Sequence, residues 1–314
     1  MSNLKNLSAQ TKGSFQINGE IKKPPISLKV AAQIGLLEYE NENLRDAENK
    51  AAILILSFGT TNKDSRAKTI EATFTAIQNN FKNVKTALSF TSHIVLKRIA
   101  QNEGGSPYSA PEDTLEKLLR EGFTKIALVP LSIVPGIEYK YDVAIFHEYK
   151  TRFKKMTLAT PLIYWQGQEN YPDDVLEVMT ALDLPAQENG TAILLMAHGT
   201  PDPSNAYYSV MQDRLSSLRD DAFIYTVEGY PRLEHFIEKL HAQNFSKIIL
   251  KPLMLVAGDH ANNDMAGEHK NFLTRARFNV EVQLQGLGEN PKIRQIYIER
   301  AAEAFNALTN SKLE

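Results

Sequence analysis

Ile53-Leu54-Ile55-Leu56-Ser57-Phe58-Gly59-Thr60 returns later in the chain as Ile193-Leu194-Leu195-Met196-Ala197-His198-Gly199-Thr200. Each copy is an apolar run of strand length closed by a Gly-Thr turn, the pattern of a buried parallel strand. A second echo follows. Phe123-Thr124-Lys125-Ile126-Ala127-Leu128-Val129-Pro130-Leu131 matches Phe245-Ser246-Lys247-Ile248-Ile249-Leu250-Lys251-Pro252-Leu253 and runs on without a gap through Val134/Val256 and Gly136/Gly258. Before each of these strands lies an amphipathic helical stretch, Pro111 to Gly122 and Arg232 to Asn244, with Leu115, Leu118 and Leu119 or Phe236, Ile237 and Leu240 at helical spacing. The chain therefore contains one βα design twice. The fold expected is α/β, two similar doubly wound βα halves with parallel sheets, related by a pseudo-two-fold axis and preceded by an N-terminal extension. Ligands of such folds bind at the carboxyl ends of the strands, here in a cleft between the halves.

The boundaries follow from where the pattern starts and repeats. Residues 1–50 form the extension, partly helical or disordered, with a Lys22-Lys23-Pro24-Pro25 break and a charged, helical Leu36 to Lys50. Residues 51–185 form the first half and residues 186–314 the second, which carries the candidate metal ligands. The first half is the longer one between Gly59 and Gly136, and its surplus is expected to form a flap over the cleft.

Composition narrows the chemistry. The 35 basic and 37 acidic residues leave a net charge of −2, which provides no field for nucleic acid or an anionic membrane. No apolar run reaches the ~18 residues of a membrane span, and the N-terminus lacks a secretory apolar region. A cytoplasmic protein is expected, with a periplasmic one whose signal is absent from this chain as the alternative. A homo-oligomer stays open. The absence of cysteine excludes disulfides, thiolate zinc sites and iron–sulfur clusters, so metal ligands must come from His, Asp and Glu.

Four strand-end positions stand out. Phe58 and His198 follow the first strand of each half, and Glu138 stands at the register of His260 in the second echo. One half thus offers two imidazoles, the other a phenyl ring and a carboxylate. Two neutral imidazoles suit divalent cobalt, nickel, zinc or iron and leave coordination positions open. Glu228, in Val227-Glu228-Gly229-Tyr230-Pro231 after the strand-like Ala222 to Val227, is a third donor. Plainer readings stand beside these: a hydrogen-bonded His at a strand end, a turn carboxylate at Glu228, a helix-opening carboxylate at Glu138. His93, His147, His235, His241 and His269 read as solvated. Gly286-Leu287-Gly288-Glu289-Asn290-Pro291 lacks the strand and spacing of a dinucleotide loop and reads as a turn with a helix starting at Pro291. Tyr164-Trp165 reads as a core edge or as a flat ligand face.

With these motifs the sequence resembles the anaerobic sirohydrochlorin cobaltochelatases of the class II chelatase superfamily, which has the ferrochelatase fold. The resemblance rests on Ser57-Phe58-Gly59-Thr60, Ala197-His198-Gly199, Val227-Glu228-Gly229-Tyr230-Pro231, the run from Pro252 through Gly258-Asp259-His260 to Met265, and Gly286 to Pro291. It implies a lyase that inserts Co2+, or Fe2+ or Ni2+, into sirohydrochlorin or a related tetrapyrrole. The metal is then a substrate, and no organic cofactor is expected. His198, Glu228 and His260 would bind the metal, while His198, Glu138 and His260 would carry the catalysis. Lys97, Arg98 and Lys140 are the basic groups expected to meet the macrocycle's carboxylates. The chain departs from the family at Ala266 to Phe272, where an acidic stretch before Ser-Trp is common. A haem or tetrapyrrole carrier, or an iron-handling protein on the same scaffold, is the alternative, with one histidine as axial ligand. A two-lobed solute-binding protein is a third reading, and it explains neither histidine.

Overall fold

A computed structural model of the chain describes residues 20–310. Of the expected extension, residues 1–50, the stretch before Glu20 lies outside the described residues. The first sheet contains β1 (Leu37–Glu40), β2 (Ala51–Ser57), β3 (Lys85–Phe90), β4 (Lys125–Pro130) and β5 (Lys155–Leu158) in the order β1-β5-β4-β2-β3. The second contains β6 (Thr191–Ala197), β7 (Ala222–Thr226), β8 (Lys247–Pro252) and β9 (Asn279–Val282) in the order β7-β6-β8-β9. Without β1, both sheets are parallel and share one topology. The echo extends to the hydrogen-bond ladder: Leu56 pairs with Pro130 as Met196 pairs with Pro252. Leu131 N–H donates to Leu56 O at 2.8 Å as Leu253 N–H donates to Met196 O at 2.7 Å.

Eleven α-helices connect the strands: α1 (Ile26–Ala31), α2 (Lys63–Arg66), α3 (Ala72–Asn80), α4 (His93–Glu103), α5 (Pro111–Arg120), α6 (Ile137–Tyr149), α7 (Asp174–Ala181), α8 (Ala206–Leu218), α9 (Ile237–Ala242), α10 (Lys270–Arg275) and α11 (Pro291–Thr309). Their starts follow sequence chemistry. Asn62, Ser92 and Asp173 cap α2, α4 and α7 with side-chain acceptors, while Pro111 and Pro291 occupy first-turn positions that need no N–H.

Strand alternation sets the layers. Ile53, Ile55 and Val129 of the first sheet and Ile193, Leu195 and Ile249 of the second belong to one core shared with α7, α8 and α11. Their neighbours on the opposite sheet faces, Leu54 and Leu128 or Leu194 and Leu250, fill two separate outer cores. The chain also crosses between halves. α7 packs against α8, and α11, last in the sequence, returns to pack on α3, β4 and β5. There Tyr297 Oη donates to Leu131 O at 2.8 Å, and Thr157 Oγ1 donates to Ala304 O at 3.0 Å. Ser65 Oγ reaches Ala257 O at 2.9 Å from the first half to the second.

The structure changes or sharpens four expectations. The charged run Leu36 to Lys50 is not a helix: Leu37–Glu40 adds an antiparallel edge strand to β5, and Glu42–Leu44 forms a short 3-10 turn. The surplus of the first half is an ordered helix, α4, whose counterpart the second half lacks among the described residues. The stretch Arg232 to Asn244 opens as a 3-10 turn, Leu233–Phe236, before α9. Trp165 is a core edge: it stacks on Tyr171 with centroids 4.3 Å apart, and its ring lies so close to Gly35 that a Cβ there would meet it at 2.5 Å.

Because α11 belongs to the shared core, Tyr297→Phe, which leaves the buried Leu131 carbonyl without its donor, is expected to cost about 1–3 kcal/mol. Chemical denaturation should show one transition for both halves at a lower midpoint. Two separated transitions would show that the halves fold independently.

Candidate metal centre

His198, Glu228 and His260 follow β6, β7 and β8, three adjacent parallel strands. β6 is the switch strand of its sheet, with β7 on one side and β8 on the other, so chain ends leaving these strands converge. The loops extend the ladder: Val227 N–H donates to Ala197 O at 3.1 Å and Glu228 N–H to His198 O at 2.8 Å. Gly199 then turns the chain with φ +80, and a Cβ on it would stand 2.4 Å from Gly229 N, so only glycine allows the His198 and Glu228 loops to touch. Asn205 clamps both, accepting from Thr200 N–H and donating to Tyr230 O at 2.9 Å.

One donor atom from each of His198, Glu228 and His260 lies within 4.8 Å of the others. The imidazole rings stand at 88° with centroids 5.0 Å apart, and His198 Nδ1 is 4.0 Å from Glu228 Oε2. Each ring is held by a local acceptor. His198 Nδ1 is 2.8 Å from Gly199 O, and His260 Nδ1 is 2.6 Å from Asp264 Oδ2. Both acceptors demand an N–H on Nδ1, which leaves the Nε2 lone pairs free. Asp264 was not singled out as functional in the sequence, although its i,i+4 spacing from His260 was a visible signal. His260 and Asp264 lie on a π-helical segment, His260–His269.

The other half presents its own three strand ends. Phe58 is 49% exposed, and Ser92, whose N–H donates to Phe58 O as Glu228's does to His198 O, is used to cap α4. Glu138 lies in the first turn of α6, so both the helix-opening reading and the register with His260 describe its position. Its side chain keeps surface exposure on the side of His198, yet dense protein surrounds the carboxyl. This desolvation raises the carboxyl's pKa, and the nearby His198 opposes the rise.

Other expected residues part ways. Lys97 and Arg98 are exposed on α4, whereas Lys140 reaches between the halves to an ion pair with Asp202 and is not available as a free rim cation. His93, His147, His235 and His241 are exposed as expected. His269 is not solvated: it is half-buried, 3.0 Å from Tyr225 Oη, and desolvation lowers its pKa. Gly286 and Gly288 pack against Leu255 and Thr69 with no room for a Cβ, so their turn is a packing device.

Two parallel βα halves, with two imidazoles and a carboxylate gathered beyond the carboxyl ends of one sheet, match the chelatase class of fold. Comparison with known proteins makes the family specific. The family model described as cobalt chelatase (CbiK) matches residues 51–306, and the chain belongs to that family. It is 30% identical to a sirohydrochlorin cobaltochelatase from Salmonella typhimurium, over 82% of this chain and 97% of the relative. It is 27% identical to sirohydrochlorin cobaltochelatase CbiKC from Nitratidesulfovibrio vulgaris, over 82% of this chain and 92% of the relative. Among solved structures, SirB from Bacillus subtilis with Fe3+ aligns with a TM-score of 0.61 at 17% identity, covering 84% of this chain and 97% of SirB, a likeness of fold.

The geometry makes Asp264 the group that aims His260. Asp264→Ala should weaken Co2+ binding by about tenfold to hundredfold while the far-UV circular dichroism stays unchanged. Isothermal titration with Co2+ alone checks this, and unchanged affinity would remove Asp264 from the account.

Proposed function

We propose that the protein is a tetrapyrrole chelatase that inserts Co2+ into sirohydrochlorin or a related precursor. The observation that carries this reading is the convergence of His198, Glu228 and His260, three metal-type donors, at one mouth of the cleft. The family and its curated relatives support the substrate class. Iron and nickel suit the same donor set, since two imidazoles and a carboxylate bind all three ions. Among the described residues no helix is long and apolar enough to cross a membrane.

Insertion requires three things: removal of water from the ion, exposure of the pyrrole nitrogen lone pairs, and departure of two N–H protons. His198, Glu228 and His260 replace part of the hydration shell and aim the ion, leaving its other side open to the macrocycle nitrogens. Phe58, at the position of His198 in the other half, offers an apolar surface to the macrocycle face. Glu138 accepts a pyrrole proton. Its raised pKa is an advantage here, because a base works best when its pKa lies near the working pH.

The sign of the pH dependence follows. Glu138 must be ionised to accept a proton, so the rate should rise with pH through its raised pKa, on a limb above the ordinary carboxylate range of roughly 4.3. Glu138→Gln should lower the insertion rate about a hundredfold and remove that limb, since general base catalysis is worth about 10²–10⁴-fold. Absorption spectra of sirohydrochlorin with Co2+ give the measurement. A His198→Ala, His260→Ala double variant should be no faster than the uncatalysed reaction. Retained insertion by that variant would refute the metal-centre assignment, and a Soret band with haem but no turnover would point to the carrier instead.

A further inference from the structure

Two protons leave the macrocycle for each metal ion inserted, yet Glu138 holds only one. A flat macrocycle lying in the cleft also separates Glu138 from bulk water. Unless its first proton has an exit, Glu138 stays neutral and the second pyrrole N–H has no acceptor.

The structure offers such an exit on the same helix. Asp142 follows Glu138 by one turn of α6, so the two carboxyls rise from one face of the helix with Cβ atoms about 5–6 Å apart. Side-chain rotation or one water molecule spans that gap. Asp142 is only 3% exposed, and its Oδ1 has no hydrogen-bond partner among the described residues. Buried carboxyl oxygens are otherwise paired in folded proteins, so an orphan one turn behind the cleft acid points to a use other than stability. Burial, reinforced by the Glu138 charge, holds Asp142 protonated far above the ordinary carboxylate range. Ser132 Oγ and Thr160 Oγ1 are also buried without partners among the described residues; they follow β4 and β5, the two strands on which α6 packs.

We propose that Asp142 relays protons from Glu138 away from the macrocycle during metal insertion. The inference rests on the chelatase reading. In each passage the pyrrole N–H proton moves to a Glu138 oxygen, and the nitrogen lone pair it leaves bonds to the metal. Protonated Glu138 then gives its proton to one oxygen of Asp142, while the proton on the other Asp142 oxygen passes to a water molecule that carries it to bulk solvent. Glu138 regains its charge and Asp142 its neutral form. Two passages complete one insertion, with no change of oxidation state. Asp142 acts through Glu138 and touches neither the metal nor the macrocycle.

The test is steady-state insertion of Co2+ into sirohydrochlorin by the full chain in H2O and D2O, with Asp142→Asn and Asp142→Glu. Asparagine keeps the shape but cannot pass a proton between two oxygens; glutamate can. The relay predicts that Asp142→Asn lowers kcat about tenfold or more, leaves KM for both substrates within about twofold, and enlarges the solvent isotope effect as proton exit becomes limiting. Asp142→Glu should recover most of the rate. Normal kcat in Asp142→Asn overturns the relay alone, as does a loss shared equally by Asp142→Glu or one with an unchanged isotope effect. Should Asp142→Asn not fold, Asp142→Leu replaces it: a lowered kcat with an enlarged isotope effect supports the relay, and a normal kcat or an unchanged isotope effect overturns it. Absence of insertion by the unaltered protein overturns the chelatase reading and the relay with it.

Discussion

Three parallel strands in fixed register, β7-β6-β8, are the constraint on which the site depends. Neighbouring strands lie about 4.8 Å apart, and residues leaving their carboxyl ends inherit that spacing. His198, Glu228 and His260 leave these three strands and bring one donor atom each within 4.8 Å. The ladder continues one residue beyond the strands, through the Glu228 N–H to His198 O bond, and Gly199 and Gly229 let the loops meet. Sheet geometry brings His198 and Glu228 together, and His260 reaches them from the start of the helical segment eight residues beyond β8.

The same geometry in the other sheet has been put to a different use. Phe58, Ser92 and Glu138 occupy the equivalent strand ends and supply an apolar face, a helix cap and a carboxylate. A single duplicated design thus yields one wall with three metal-type donors and one with an apolar ring and a carboxylate. The exchange of α7 and α11 between halves, and a core common to both sheets, set these walls against each other. The Lys140–Asp202 ion pair adds a tie at the level of α6.

Much of this was legible in the sequence because it is periodic and local. The repeat carried the strand order, and the register of Glu138 with His260 is kept in the fold, where each stands eight residues beyond its strand at the start of a helical segment. What escaped was non-local. Leu37, Glu38, Tyr39 and Glu40 alternate as a strand does, but their partner β5 lies far along the chain, and the charge of the surrounding run masked the alternation. His269 was read as solvated because its partner, Tyr225, comes from another element of the fold. Asp142 looks like any polar residue of a helix until α6 is laid on β4 and β5, when it becomes a buried carboxyl with an unpaired oxygen. Asp264 was within reach of local reasoning, four residues beyond His260 on one helical segment.

The central claim is that three strand ends of one sheet form the metal's landing site before any macrocycle arrives. X-ray absorption at the cobalt edge, on the protein loaded with one equivalent of Co2+ and no tetrapyrrole, tests it most directly. The account predicts a light-atom shell with the multiple-scattering signature of two imidazoles, reduced to one in His198→Ala and in His260→Ala. A spectrum without imidazole scattering, or one that neither substitution alters, would contradict it.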